Sequence, residues 1–131
     1  MAVKTALIID DEPDVTTYHG TVLSDHGWKV HTANSGIDGI AIAQEKMPDV
    51  IMLDVMMPEK GGLSTLIALR KDDRTKEIPV VLVTGIQASL NADFEAFLGR
   101  FKTYNPDGYI EKPIDVDKLI ETLDNLVAGS N

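Results

Sequence analysis

The sequence predicts a three-layer α/β/α sandwich around a doubly wound sheet of five parallel strands in the order 2-1-3-4-5. Apolar runs of strand length, at roughly 4–9, 28–33, 49–53, 79–83 and 107–111, alternate with five stretches of helical periodicity. The runs are near-continuously hydrophobic, as strands covered on both faces by right-handed crossover helices must be. A third observation bears on the order. Four runs stop at polar residues: ALII at Asp10-Asp11, VIML at Asp54, VVLV at Thr84, and GYIE at Lys112-Pro113. With strand two at an edge, the switch point falls between strands one and three, where Asp10, Asp11 and Asp54 would converge.

After the first strand, a helix over about 12–26 carries Val15, Tyr18, Val22 and Leu23 on one stripe. Gly27 follows where a left-handed C-terminal residue sits. The second strand ends at Asn34-Ser35 and adds no obvious chemistry. Ser35 caps a second helix carrying Ile37, Ile40 and Ala41, closed by Lys46 and Pro48. A third helix over about 62–72 turns Leu63, Leu66 and Ile67 inward and sets Arg70 and Lys71 near its negative end. A fourth, over 88–102, places Leu90, Phe94, Phe97 and Phe101 at helical spacing. The fifth starts at an Asp115 cap and packs Leu119, Ile120, Leu123 and Val127.

With 131 residues the chain reads as a single domain over 1–131, long enough for a real core and too short for a second domain of ordinary size. A net charge of −9 without any Lys/Arg cluster argues against direct nucleic-acid binding. The lack of cysteine removes disulfides, thiolate metal sites and a thiol nucleophile. No stretch approaches the ~20 apolar residues of a membrane span. The opening MAVKTALIIDDE lacks a signal-peptide shape, so the expected location is cytoplasmic, with no membrane partner. His19, His26 and His31 are scattered over two elements with no second ligand in register, and read as surface or packing residues.

The strand-end residues carry the chemistry. Three carboxylates held close together repel, and burial raises their pKa values unless a cation neutralises them. An all-oxygen set without His or Cys selects Mg²⁺, or another hard divalent such as Mn²⁺, over zinc. Asp54, central in the sheet, is the candidate nucleophile, because an aspartate can accept a phosphoryl group as an acyl phosphate. Such transfer needs charge neutralisation on the equatorial oxygens, which the metal, the Lys112 ammonium and the Thr84 hydroxyl would supply.

In order along the chain stand IIDDEPDV (8–15), DVIMLDVMMPEKGG (49–62), VTG (83–85) and YIEKPI (109–114). Together, each at a strand end, they resemble the receiver domain of two-component response regulators, over essentially the whole chain. The order 2-1-3-4-5 is also that of flavodoxin-like folds. The resemblance implies that Asp54 is the phosphoacceptor, that Asp11 ligates Mg²⁺ directly, and that Asp10 does so directly or through water. The Met56 backbone carbonyl would complete the protein ligands. Thr84 would follow the phosphoryl group, Lys112 would pair with the phosphoaspartate, and Tyr109 would be the aromatic switch residue that turns inward when Thr84 moves. The Lys112-Pro113 bond is expected to be cis. The implied partners are a histidine kinase or phosphotransfer protein as donor, and an output protein or dimer mate on the face of the fourth helix, fifth strand and fifth helix.

Each residue alone has a plainer reading. Asp10-Asp11 could cap the first helix, Thr84 could be an ordinary strand-end residue, Lys112 a surface lysine and Tyr109 packing. The four motifs in order outweigh these for the five core residues. Two departures stand out. Thr84 and Lys112 lie 28 positions apart, more than the pattern requires, with the extra residues placed in GRFKTYNPDG (99–108). Met56 and Ile86, each two positions beyond a site residue, are apolar and cannot orient an attacking water, so self-dephosphorylation is expected to be slow.

The alternative is a Mg²⁺-dependent phosphatase with Asp54 as turnover nucleophile, like haloacid dehalogenase-type hydrolases. These use a second aspartate where this chain has Met56, and a cap domain. A binding module of the same fold that works without phosphorylation is the third reading. The expected chain is therefore a switch rather than an enzyme, acting either alone or as a receiver cut from a larger regulator.

Overall fold

The computed structural model describes residues 3–54, 62–85 and 106–129, with Leu63 and Thr84 by their backbone alone. Along these residues run β1 (Thr5–Ile9), α1 (Pro13–Asp25), β2 (Lys29–Ala33), α2 (Gly36–Lys46), β3 (Val50–Asp54), α3 (Gly62–Lys71), β4 (Val80–Gly85), β5 (Gly108–Lys112) and α4 (Val116–Gly129). Every strand pair is parallel and the order is β2-β1-β3-β4-β5, as expected. The expected helix over 88–102, with Leu90, Phe94, Phe97 and Phe101, lies outside the described residues, so α4 is the fifth expected helix.

Alternation along the strands splits the core in two. Leu7 and Ile9 pack with Ala43, Leu66 and Leu69 in the layer of α2 and α3. Ala6 and Ile8 pack with Leu23, Leu119 and Leu123 in the layer of α1 and α4. Each fully buried Leu or Ile here contributes about 1.5–3 kcal/mol relative to exposure, so the sheet is held from both sides.

Caps define the helix ends as the sequence indicated. Ser35 Oγ accepts from the Asp38 N–H at 3.1 Å, and Asp115 Oδ1 accepts from the Lys118 N–H at 3.1 Å. Gly27 takes a left-handed φ of 87° after α1, and Met47 does the same after α2 at 48°. The first is glycine's usual place; the second went unforeseen because the bulk of methionine gives no such cue.

Several expected faces need correction. In α1 the inward residues are Thr16, His19 and Leu23, and Tyr18 is 55% exposed. The hydrophobic pattern misled because the end of α1 nearest the site packs over polar groups rather than over the apolar core. In α2, Ile37 is 83% exposed and Ala41 is exposed, while Gly39 and Ala43 face inward. Small residues there let the helix axis approach Ile9. In α3, Leu66 is buried as expected and Leu69 joins it, Ile67 is half-buried, and the side chain of Leu63 lies outside the described structure. The outer strands β2 and β5 are partly exposed instead of covered on both faces, because each has a strand neighbour on one side only.

At the N-terminal end of β5, Arg70 donates to Asp107 Oδ2 at 2.6 Å and to the Ile78 carbonyl at 2.7 Å. Asp107 Oδ2 also accepts the Val80 N–H at 2.8 Å, and the Asp107 N–H donates to the Val80 carbonyl at 2.8 Å. These bonds hold β5 on β4 in the register that sets Lys112 opposite Gly85.

Candidate functional site

Because β1 and β3 are neighbours, the turn after β1 and the last residue of β3 share one spot at the sheet's C-terminal edge. One carboxylate oxygen from each of Asp10, Asp11 and Asp54 lies within 4.8 Å of the other two. Asp10 and Asp54 are 2% and 4% exposed, and Asp11 is half-buried. Lys112, the last residue of β5, brings its Nζ to 3.4 Å from Asp10 Oδ2 and 3.6 Å from Asp54 Oδ2.

Asp10 is held by all its polar groups. Its N–H donates to the Ala33 carbonyl at 3.0 Å, extending the β1–β2 ladder by one residue. Its carbonyl accepts the Asn34 Nδ2 at 2.9 Å, its Oδ1 accepts the Glu12 N–H at 3.0 Å, and its Oδ2 faces Lys112. Among the described residues the Asp11 carboxylate has no hydrogen bond or ion pair, leaving its oxygens open to a ligand. Among the described residues, three carboxylates stand against one ammonium, an excess of negative charge in a partly desolvated place. An all-oxygen donor set with one open carboxylate fits a hard divalent cation. The acidic cluster can hold a metal ion.

Asp10, Asp11, Asp54 and Lys112 thus come together. Thr84 stands in β4 with its backbone paired to Glu111, and its side chain lies outside the described structure. Met56 also lies outside the described residues. Tyr109 pairs with Leu82 across the β4–β5 ladder and is 47% exposed, and desolvation of its covered part raises the hydroxyl pKa. The Lys112-Pro113 bond is cis.

Two residues passed over in the sequence belong to this region. Asn34 ends the second apolar run just as the aspartates end theirs, and it reaches both Asp10 and Thr16. The strand-end position was its signal, though an uncharged amide drew less notice than a carboxylate. His19 is packed at 5% exposure, where burial first, then Lys112, lowers its pKa, with Asp10 pulling the other way. No spacing rule could have linked His19 to residues at the ends of β1 and β5.

The model of the response regulator receiver domain family matches residues 6–124. The chain belongs to that family. This receiver domain is 34% identical over 123 residues to the protein PilH of Pseudomonas aeruginosa, covering 94% of this chain and 97% of PilH. It is 35% identical over 114 residues to the DNA-binding dual master transcriptional regulator RpaA of Synechocystis, covering 87% of this chain but 45% of RpaA. In structure it resembles the chemotaxis protein CheY4 of Vibrio cholerae, with a TM-score of 0.82, 26% identity, and coverage of 95% of this chain and 99% of that one. A response regulator receiver domain protein from Clostridium thermocellum matches at a TM-score of 0.82 and 26% identity, over 97% of this chain and 96% of that one. The receiver domain is therefore a module of two-component signalling with the fold its strand pattern predicted. Among the described residues no helix is long and apolar enough to cross a membrane.

Proposed function

We propose that this receiver domain is a phosphorylation-controlled switch, a single domain over 1–131, in which Asp54 takes a phosphoryl group from the phosphohistidine of a histidine kinase or phosphotransfer protein. The observation that carries the reading is the placement of a buried Asp54 carboxylate 3.6 Å from the Lys112 ammonium and beside Asp10 and Asp11. An Asp54 oxygen attacks phosphorus, the P–N bond to the donor imidazole breaks, and the imidazole leaves with the bond's electron pair and is protonated. The product is an acyl phosphate on Asp54. Asp10, Asp11 and Asp54, with the Met56 carbonyl, would hold Mg²⁺ or Mn²⁺, which supplies charge neutralisation at the phosphoryl oxygens when bound. Lys112 contributes the second positive charge, Thr84 follows the phosphoryl group, and Tyr109 turns inward when Thr84 moves.

Charge added at this edge draws Lys112 and Thr84 inward and biases the surface between 84 and 112 towards a state that binds an output protein or a second copy. The expected setting is the cytoplasm. Intact mass after incubation with acetyl phosphate and Mg²⁺ tests this. Wild type should gain one phosphoryl group and Asp54→Asn none. Steady hydrolysis of phosphate esters would instead support the phosphatase reading, and no adduct from any donor would leave a phosphorylation-independent binding module.

A further inference from the structure

Asn34 joins the end of β2 to the turn that presents the acidic cluster. Its Nδ2 donates to the Asp10 carbonyl at 2.9 Å and to Thr16 Oγ1 at 3.3 Å. Thr16 is itself 3% exposed and donates to the Pro13 carbonyl at 3.0 Å. One amide therefore ties three elements: the exit of β1, the first turn of α1, and the exit of β2. The preceding residue, Ala33, accepts the Asp10 N–H, so both peptide groups of Asp10 are held by consecutive residues of the neighbouring strand. With both fixed, the direction in which the chain delivers Asp10 and then Asp11 is set by β2. No positive charge is involved, so this hold adds nothing to the balance between the carboxylates and Lys112.

We propose that Asn34 is a positioning residue for the metal site: its amide clamps the Asp10 carbonyl against Thr16, so that the Asp10 and Asp11 carboxylates are aimed before the cation arrives. The inference rests on the reading of the cluster as a divalent site. Pre-aiming shows in affinity, because a ligand set that must be ordered on binding binds more weakly, and loss of groups that orient metal ligands typically costs about 10–100-fold.

The isosteric change Asn34→Asp removes both N–H donors, keeps the shape and adds a negative charge. By charge alone it would tighten cation binding; by loss of the clamp it would weaken it. The measurement is Mn²⁺ affinity of the intact chain, read from the free Mn²⁺ signal in electron paramagnetic resonance, alongside the phosphorylation rate by acetyl phosphate at saturating metal. The expected result is an affinity about tenfold weaker in Asn34→Asp and Asn34→Ala, with the saturated rate close to wild type. Thr16→Val, which removes the longer of the amide's two partners together with the Thr16 hydroxyl's own bond to the Pro13 carbonyl, should weaken affinity by less, and serves if the Asn34 variants fail to fold. Unchanged or tighter Mn²⁺ binding in Asn34→Asp overturns the proposal; if that variant does not fold, unchanged binding in Thr16→Val does so. Equal loss of affinity and saturated rate assigns Asn34 to general scaffolding and overturns it too. Asp11→Asn separates the two layers: if it leaves Mn²⁺ binding intact, the metal-site reading itself fails.

Discussion

Lys112 holds its ammonium 3.6 Å from Asp54 Oδ2 while also standing 3.4 Å from Asp10 Oδ2, so a single cation spans the two deepest acids of the site. Lys112→Met takes that charge away and leaves both buried carboxylates facing each other. Without metal, stability at neutral pH is expected to fall by about 1–2 kcal/mol, less than for a fully buried pair because the Lys112 side chain keeps 30% exposure. Saturating Mg²⁺ should recover part of the loss. Urea denaturation in chelator and in Mg²⁺ measures both, and coincident wild-type and variant curves in chelator would count against this role.

The phosphorylated form should be long-lived. Met56 and Ile86 offer no polar group to orient water towards the acyl phosphate. Intact mass followed over time in Mg²⁺ should show the adduct persisting well beyond seconds, and Met56→Glu should shorten its life. A wild-type half-life of seconds would refute the expectation.

His19 makes stability depend on pH. Its folded pKa is lowered, first by burial and then by Lys112, below the ordinary histidine value of about 6.5 that holds in the unfolded chain. Below that value the unfolded state binds more protons than the folded one. The contribution of His19 is therefore complete above the unfolded pKa and is lost as pH falls through the depressed folded value. Metal-free unfolding between about pH 7 and pH 5 should lose stability less steeply in His19→Leu than in wild type. Parallel pH profiles would show that His19 does not titrate in this way.

Gly39 lets α2 lie against β1. A Cβ there would meet Ile9 Cγ1 at 2.7 Å and overlap Cδ1. Gly39→Ala is expected to cost about 1–3 kcal/mol through overpacking, and Ile9→Val in the same chain should return part of it by removing Cδ1. Thermal melts of the two single variants and the double variant check the coupling. Strict additivity would contradict the contact.

Much of this molecule could be read from local pattern. Continuous apolar runs identify buried strands because both faces must exclude water, and β1, β3 and β4 are covered in that way. Ser35 and Asp115 were legible because capping is a contact across a few residues. The same reasoning failed for Tyr18 and Ile37, whose hydrophobicity placed them inward although they stand in solvent. A helix face is chosen by what the neighbouring layer offers, and periodicity in α1 and α2 carries no information about Ile9 or the site acids opposite.

The sequence by itself determined the parallel alternation, the strand order and the placing of Asp10, Asp11, Asp54 and Lys112 at strand ends. The alternation and the placing follow from hydrophobic runs and their polar stops, and 2-1-3-4-5 is the order that brings those stops to one switch point. Only the tertiary structure decided which partner each group has: Lys112 against Asp10 and Asp54, Asn34 on the Asp10 carbonyl, His19 buried near them, and Arg70 with Asp107 setting the β5 register. The physical reason is reach. Hydrogen bonds and ion pairs act over a few ångströms between residues far apart in the chain, and those distances exist only once the sheet has brought the strand ends together.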